Sequence, residues 1–221
     1  MAPHQSPVPD LRQLLRSRLL GTQPSSGMPV TLAGVPPQFT HCYADLLPSN
    51  PRPAAVLVPI VDHADGLTVL LTERAPDLRH HPGQIAFPGG RIDPGDSGPV
   101  EAALRETEEE IGLGREHVEV LGFLGDHLVM TGYRVTPVVA FVRPGVALRT
   151  DPVEVAAVFE VPLAFILDPA NHRLRRRELD KYQVDIYTIP FGQRNIWGAT
   201  AGMLMSLYHL LSAPAAQEPH E

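Results

Sequence analysis

The stretch "RETEEEIGL" (105–113) packs four glutamates into six positions of a chain whose formal net charge is already −7. Like charges three or four residues apart on a helix repel, so this segment constrains the fold more than any other. Pro99 to Ile111 contains good helix formers and ends at Gly112, a natural residue for a helix C-terminus. At about 100° per residue, Glu106, Glu109 and Glu110 fall on one narrow face, while Glu101 and Glu108 point elsewhere. Two readings are open. One is a solvated charged face; the other is a set of carboxylates whose repulsion a hard divalent cation relieves. Arg105 lies four residues before Glu109 and is placed to pair with it and fix its orientation.

Such a helix needs a scaffold, and the flanking sequence supplies strands. "AAVLVPIV" (54–61) and "LTVLLT" (67–72) flank "DHADG", in which Asp65-Gly66 signals a hairpin. Beyond the acidic segment, "VEVLGFLG", "VTPVVAFV", "AAVFEV" and "DIYTIP" are rich in β-branched and aromatic residues. "GATAGMLMSLYHLL" is apolar on most helical faces and predicts a buried closing helix. Strands on both sides of an acidic helix predict an α/β or α+β fold, a mixed sheet covered by helices. "DLRQLLRSRLL" carries apolar residues at helical spacing with Asp10 as N-cap. Thr22 to Gln38, rich in Pro, Gly and Ser, reads as an extended connection. The expected organisation is an N-terminal helix and connection over 1–38, one domain over 39–212, and a frayed tail over 213–221.

Composition narrows the function. At 221 residues and 43% hydrophobic content, the chain can fill one core. No run approaches the roughly 18 consecutive apolar residues of a membrane helix, and "MAPHQSPVPDLRQLL" lacks the order of a secretory signal. A soluble cytoplasmic protein with no membrane contact is expected. The single Cys42 cannot form an intramolecular disulfide and reads as a buried or bystander thiol, with only His41 beside it as a base. The acidic balance argues against nucleic-acid binding. Basic charge is almost all arginine, with Lys181 the only lysine, so a phosphate clamp would be a guanidinium.

The segment before the helix decides between the two readings. "FPGGRIDPGD" (87–96) is a rigid Gly- and Pro-rich loop whose backbone can approach another group closely. Together with the helix, "GGRIDPGDSGPVEAALRETEEEIGL" resembles the Nudix box. Arg105, Glu106, Glu109, Glu110, Gly112 and Leu113 stand where that pattern asks. Thr107 occupies a place usually aliphatic, and the upstream carboxylate is Asp96, one residue out of step. A second stretch, "LLTERAPDLRHHPGQIAFPGG" (70–90), resembles the signature of the coenzyme A pyrophosphatase branch, with Leu70, Leu71, Thr72, Arg74, Ala75, Arg79, Gly83 and Phe87 to Gly90 filling its fixed places. "IWGATAGML" (196–204) is similar to that branch as well.

The resemblance implies a mixed β-sheet sandwiched between α-helices and a metal-dependent hydrolysis of coenzyme A to 4′-phosphopantetheine and adenosine 3′,5′-bisphosphate. ADP-ribose or dinucleotides are alternative substrates, and a nucleotide-binding protein without turnover is the rival class. Glu106, Glu109 and Glu110 would hold Mg²⁺ or Mn²⁺, Gly89 and Gly90 would shape the loop, and Arg74 and Arg79 would contact phosphates or organise the signature loop. The general base is open among Glu110, Glu160, His80 and His81. Tyr133 and Trp197 are candidates for stacking on adenine or for packing. Exposed apolar surface on the flanking segments is compatible with a homodimer.

Overall fold

The computed structural model describes residues 10–24, 31–47, 49–78, 80–179 and 182–214. In chain order the elements are α1 (Leu11–Leu19), β1 (Thr31–Leu32), β2 (Arg52–His63), β3 (Gly66–Arg74), β4 (Ile85–Ala86), β5 (Gly89–Arg91), α2 (Pro99–Ile111), β6 (Val118–Phe123), β7 (His127–Val129), β8 (Tyr133–Val142), β9 (Val155–Pro162), α3 (Leu163–Leu167), β10 (Arg173–Leu179), β11 (Tyr182–Phe191), β12 (Arg194–Trp197) and α4 (Gly198–Ser212). The expected tails at 1–9 and 215–221 lie outside the described residues, as does Arg79.

Strand β2 organises the sheet. Its apolar run pairs in parallel with β8 from Arg52↔Tyr133 to Val61↔Val142, so both strands are buried on both faces and neither alternates. β2 also turns back antiparallel into β3, with His63 opposite Gly66. The hairpin expected at Asp65-Gly66 is present, but its two loop residues are Ala64 and Asp65, and Gly66 opens β3 with φ 150°. Among the described residues the main sheet runs β1-β7-β8-β2-β3-β4, with β5 added to β2, β6 to β8 and β9 to β3. A second, antiparallel sheet contains β10, β11 and β12.

Helices cover the main sheet on both faces. On one, α2 packs Ala102, Ala103 and Ile111 onto Ala55, Leu57, Leu70, Val138 and Ala140. On the other, α1, α3 and α4 bury Leu15, Leu19, Ile166, Leu204 and Leu207 against Val58, Ile60, Val69 and Val139. The sandwich expected from the sequence is therefore present, and α1 contributes fully buried leucines to it. Asp10 caps α1 by accepting from the Arg12 N–H at 3.1 Å. Among the described residues no helix is long and apolar enough to cross a membrane. Cys42 is exposed, with its Sγ 3.4 Å from His41 Nε2.

One polar chain crosses the core. His127 is completely enclosed, its Nδ1 3.0 Å from Thr31 Oγ1 and its Nε2 3.1 Å from Ser206 Oγ. Burial lowers its pKa to about 4, against a smaller opposing influence of Asp126. Because the folded value lies below the unfolded one of about 6.5, the unfolded chain binds the proton first, and this residue costs stability as pH falls from about 6.5 to 4. The loss expected from it is on the order of 3 kcal/mol. Ring NMR resonances of His127 should stay those of neutral imidazole down to about pH 4; a midpoint near 6.5 would contradict the enclosure.

Candidate active site

The Gly-Pro loop enters α2 without a side-chain cap. Gly98 precedes the helix at φ 151°, and Pro99 takes the first position, where its missing N–H costs nothing. At the other end Gly112 adopts φ 68° and donates to Glu108 O at 2.9 Å. Two further carbonyls are met from a distance: Arg149 N–H donates to Ile111 O and Asp151 N–H to Glu110 O, each at 2.9 Å. This capping fastens the segment before β9 to the helix end. Thr107, the departure from an aliphatic residue, is fully buried and turns its hydroxyl back to Ala103 O at 2.6 Å, so the polar atom is satisfied inside the core.

The two glycines of the loop do different work. A Cβ on Gly89 would lie 2.4 Å from Ala55 O and 2.6 Å from Val56 Cα, so β5 can lie against β2 only because glycine stands there. A Cβ on Gly90 would lie 2.4 Å from the Glu106 carboxyl carbon, so the strand is a wall for that carboxylate. Gly89 N–H donates to Glu110 Oε2 at 3.2 Å. Loop and helix are thereby locked together through the residues expected to carry the chemistry.

Arg105 is the hub of the acidic face. It was expected to pair with Glu109 and does so at 3.2 Å. Its stronger partner is Asp96, which accepts from Nε and Nη2 at 3.0 Å each and has a side chain only 4% exposed. Glu106 accepts from Nη1 at 2.9 Å, and Arg91 O accepts from Nη2 at 3.2 Å. Asp96 thus has a structural use despite its displacement by one residue. Its carboxyl is held below the usual range by the Arg105 hydrogen bond and by the Asp93 N–H.

The three helix glutamates share a face but not an environment. Glu109 is largely exposed, Glu106 is half-buried and Glu110 is buried. Burial drives the Glu106 carboxyl upward against Arg105, and drives Glu110 up to about 7 against the Gly89 N–H and Arg74. Both glutamates also feel the negative charge of Glu154. No group of three or more acidic, histidine or cysteine side chains among the described residues stands ready to enclose an ion. The physical reason is visible in the partners: Arg105 draws Glu106 and Glu109 toward itself, and Gly89 holds Glu110.

The structure marks out two residues, one of them already a candidate from the sequence. Arg74 Nε is buried with no hydrogen-bond partner, although its charge acts on Glu110. An orphaned guanidinium N–H beside a carboxylate site lacks an acceptor. Glu154 was missed by sequence reasoning, since "DPVEVAAV" carries no pattern of its own. The bonds from Arg149 and Asp151 to the helix end, with Glu154 N–H donating to Asp151 O, bring it there.

Other candidates separate from this group. Glu160 is engaged by His63 Nε2 at 2.7 Å and by Thr68 Oγ1. His80 and His81 are exposed; His81 takes a positive φ of 57° and contacts Gln84 Oε1 at 2.9 Å. Trp197 is partly buried, with Arg177 5.1 Å from its ring centroid. Tyr133 carries the Arg52 guanidinium 4.3 Å from its ring centroid, so an arginine occupies the position expected for a base.

The site is a glycine-rich strand locked to a carboxylate-bearing helix, on a mixed sheet between helices. The chain belongs to the Nudix family: a match to the NUDIX domain spans residues 51–182. It is a Nudix hydrolase, an enzyme acting on pyrophosphate bonds, and members of this family generally need divalent metal ions. It is 42% identical over 161 residues to the uncharacterized Nudix hydrolase NudL of Photorhabdus laumondii, covering 73% of this chain and 86% of that one. It is 44% identical over 163 residues to the NudL of Escherichia coli K12, covering 72% and 82%. Among solved structures, a MutT/nudix family protein from Enterococcus faecalis aligns with 76% of this chain and 66% of its own, at 21% identity and a TM-score of 0.48.

Proposed function

We propose that the protein cleaves the diphosphate of coenzyme A, or of its oxidised or acylated forms, to 4′-phosphopantetheine and adenosine 3′,5′-bisphosphate. The observation that carries the reading is the density of the 70–90 signature together with the orphaned Nε of Arg74, a residue of that signature, beside Glu110. Cleavage of ADP-ribose or dinucleotides is the alternative, and it would need the same helix.

The residues present fit Mg²⁺ or Mn²⁺. Glu106 and Glu110 are carboxylates crowded by burial and by Glu154, an all-oxygen donor set that Arg105, the Gly89 N–H and Arg74 offset only in part. Glu106, Glu109 and Glu110 would hold the ion, with Glu109 exchanging its contact to Arg105. When bound, the ion supplies charge neutralisation on the diphosphate oxygens and acidifies water. The chain does the rest. Arg74 donates its free N–H to a phosphate oxygen, as a guanidinium does well. Arg79 is assigned to phosphate binding with it. Arg105, anchored on Asp96, orients Glu106 and Glu109. Water adds to one phosphorus, the bond from that phosphorus to the bridging oxygen breaks, and the proton passes to a carboxylate. Glu110 is our assignment for that base, and the negative charge of Glu154 acts on it.

Arg74→Ala is expected to lower kcat/KM for coenzyme A by about 10²-fold, the loss of a charged hydrogen-bond donor to phosphate. Steady-state kinetics with saturating Mg²⁺, alongside thermal unfolding, tests this. Kinetics within twofold of the parent would remove Arg74 from the substrate site.

A further inference from the structure

One cluster near the helix is unexplained by the reaction. At the start of β2 and β8, Arg52 and Tyr133 are register partners. The Arg52 guanidinium lies 4.3 Å from the Tyr133 ring centroid and that of Arg91 lies 5.8 Å from it, with Arg91 Nε donating to the tyrosine oxygen at 3.0 Å. Two like charges are thus gathered on one ring. Neither Arg52 nor Arg91 meets a carboxylate among the described residues, a trait they share with Arg18, Arg74, Arg143 and Arg149; what sets them apart is that both lie against one ring. Two guanidiniums gathered on one ring make a local positive patch on a protein of net charge −7, and such a patch attracts an anion.

Its place in the fold ties it to the carboxylates. Arg91 follows Gly90 on β5, and Gly90 abuts Glu106. Successive strand residues point to opposite faces about 3.3 Å apart, so Arg91 leaves β5 on the face away from α2. Its cross-strand partner Ala54 belongs to the core on that far side. Among the described residues β5 pairs with β2 alone, and its other edge faces α2, where Gly89 N–H donates to Glu110 Oε2 and Arg91 O accepts from Arg105 Nη2, so a ligand bent around that edge offers one phosphate group to each face.

We propose that Arg52 and Arg91, steadied by Tyr133, bind a phosphate monoester of the substrate that lies outside the scissile diphosphate. This rests on the coenzyme A reading, in which the adenosine carries such a group at its 3′ position. The two guanidiniums then decide between substrates that differ only in that phosphate. A dianionic monoester is matched by two forks, as a single guanidinium is by a monoanion.

The test compares coenzyme A with 3′-dephospho-coenzyme A in the parent protein and in Arg52→Gln, Arg91→Gln and Arg91→Lys, with thermal unfolding of each. The parent is expected to prefer coenzyme A, and each glutamine variant to lose about tenfold or more in kcat/KM for it, the scale of a charge-assisted hydrogen bond. The loss on 3′-dephospho-coenzyme A should be less than about twofold by the same reasoning, and Arg91→Lys should keep part of the preference. In parallel, adenosine 3′,5′-bisphosphate should raise the parent's unfolding temperature more than adenosine 5′-monophosphate does, and the glutamine variants should erase that difference. Equal losses on both substrates, or no loss on either, would overturn the subsite while leaving coenzyme A cleavage standing. Failure of the parent to cleave either substrate would overturn the coenzyme A reading and the subsite with it.

Discussion

Glu110→Gln is expected to lower kcat for coenzyme A by about 10³-fold or more, the scale seen when a group acting in the transition state is removed. The fold should survive. A glutamine side-chain oxygen can still accept from Gly89 N–H, now 3.2 Å from the carboxylate, and it removes a charge that burial disfavours. The sign of the stability change follows from the raised pKa. A carboxyl shifted up to about 7 when folded binds its proton there before it does in the unfolded chain, so at pH 8 the buried charge costs stability. Metal-free Glu110→Gln should therefore be at least as stable as its parent at pH 8 in urea unfolding. Glu109→Gln should also abolish turnover, but with little change in stability, because that side chain is largely exposed. Near-parent rates in either variant at saturating Mg²⁺ would contradict the ligand assignment.

The second large effect separates two neighbouring glycines. Gly89→Ala is expected to destabilise the fold by about 3 kcal/mol or more, the range of a strained backbone combined with overpacking. Its φ of 145° lies where side chains are disfavoured, and its new methyl would meet the backbone of Ala55 and Val56, which cannot move without breaking β5 from β2. Gly90→Ala meets instead the end of the Glu106 side chain, which can swing aside. It should cost little stability and much activity, because the carboxylate is displaced. Urea midpoints and kcat for both variants check the pair. A stable Gly89→Ala protein, or a fully active Gly90→Ala protein, would break the link drawn between loop and helix.

The parts of this fold that could be read from the sequence are those where one physical demand dominates. β2, β3 and β8 are apolar runs that must be buried, and α2 announces itself by its helix formers and Gly112. β10 was hidden because "RLRRREL" is exposed from Arg173 to Glu178 and carries no alternation to reveal a strand. β5 was read as loop because two of its three residues are glycines, chosen for close approach rather than strand propensity. In the site, helical spacing predicts Glu106, Glu109 and Glu110 on one face, but could not show that Arg105 turns first to Asp96. Glu154, the free Nε of Arg74 and the Arg52–Tyr133–Arg91 cluster depend on contacts between distant segments. No local pattern encodes them.

The central claim is the bond that is cut. Purified protein incubated with coenzyme A and, separately, with ADP-ribose, in Mg²⁺ or Mn²⁺ and in chelator, gives products that mass spectrometry can assign. Metal-dependent release of 4′-phosphopantetheine and adenosine 3′,5′-bisphosphate from coenzyme A, with ADP-ribose left intact, is the expected result. Cleavage of ADP-ribose with coenzyme A untouched would keep the helix chemistry and contradict the substrate, and cleavage of neither would contradict catalysis on both.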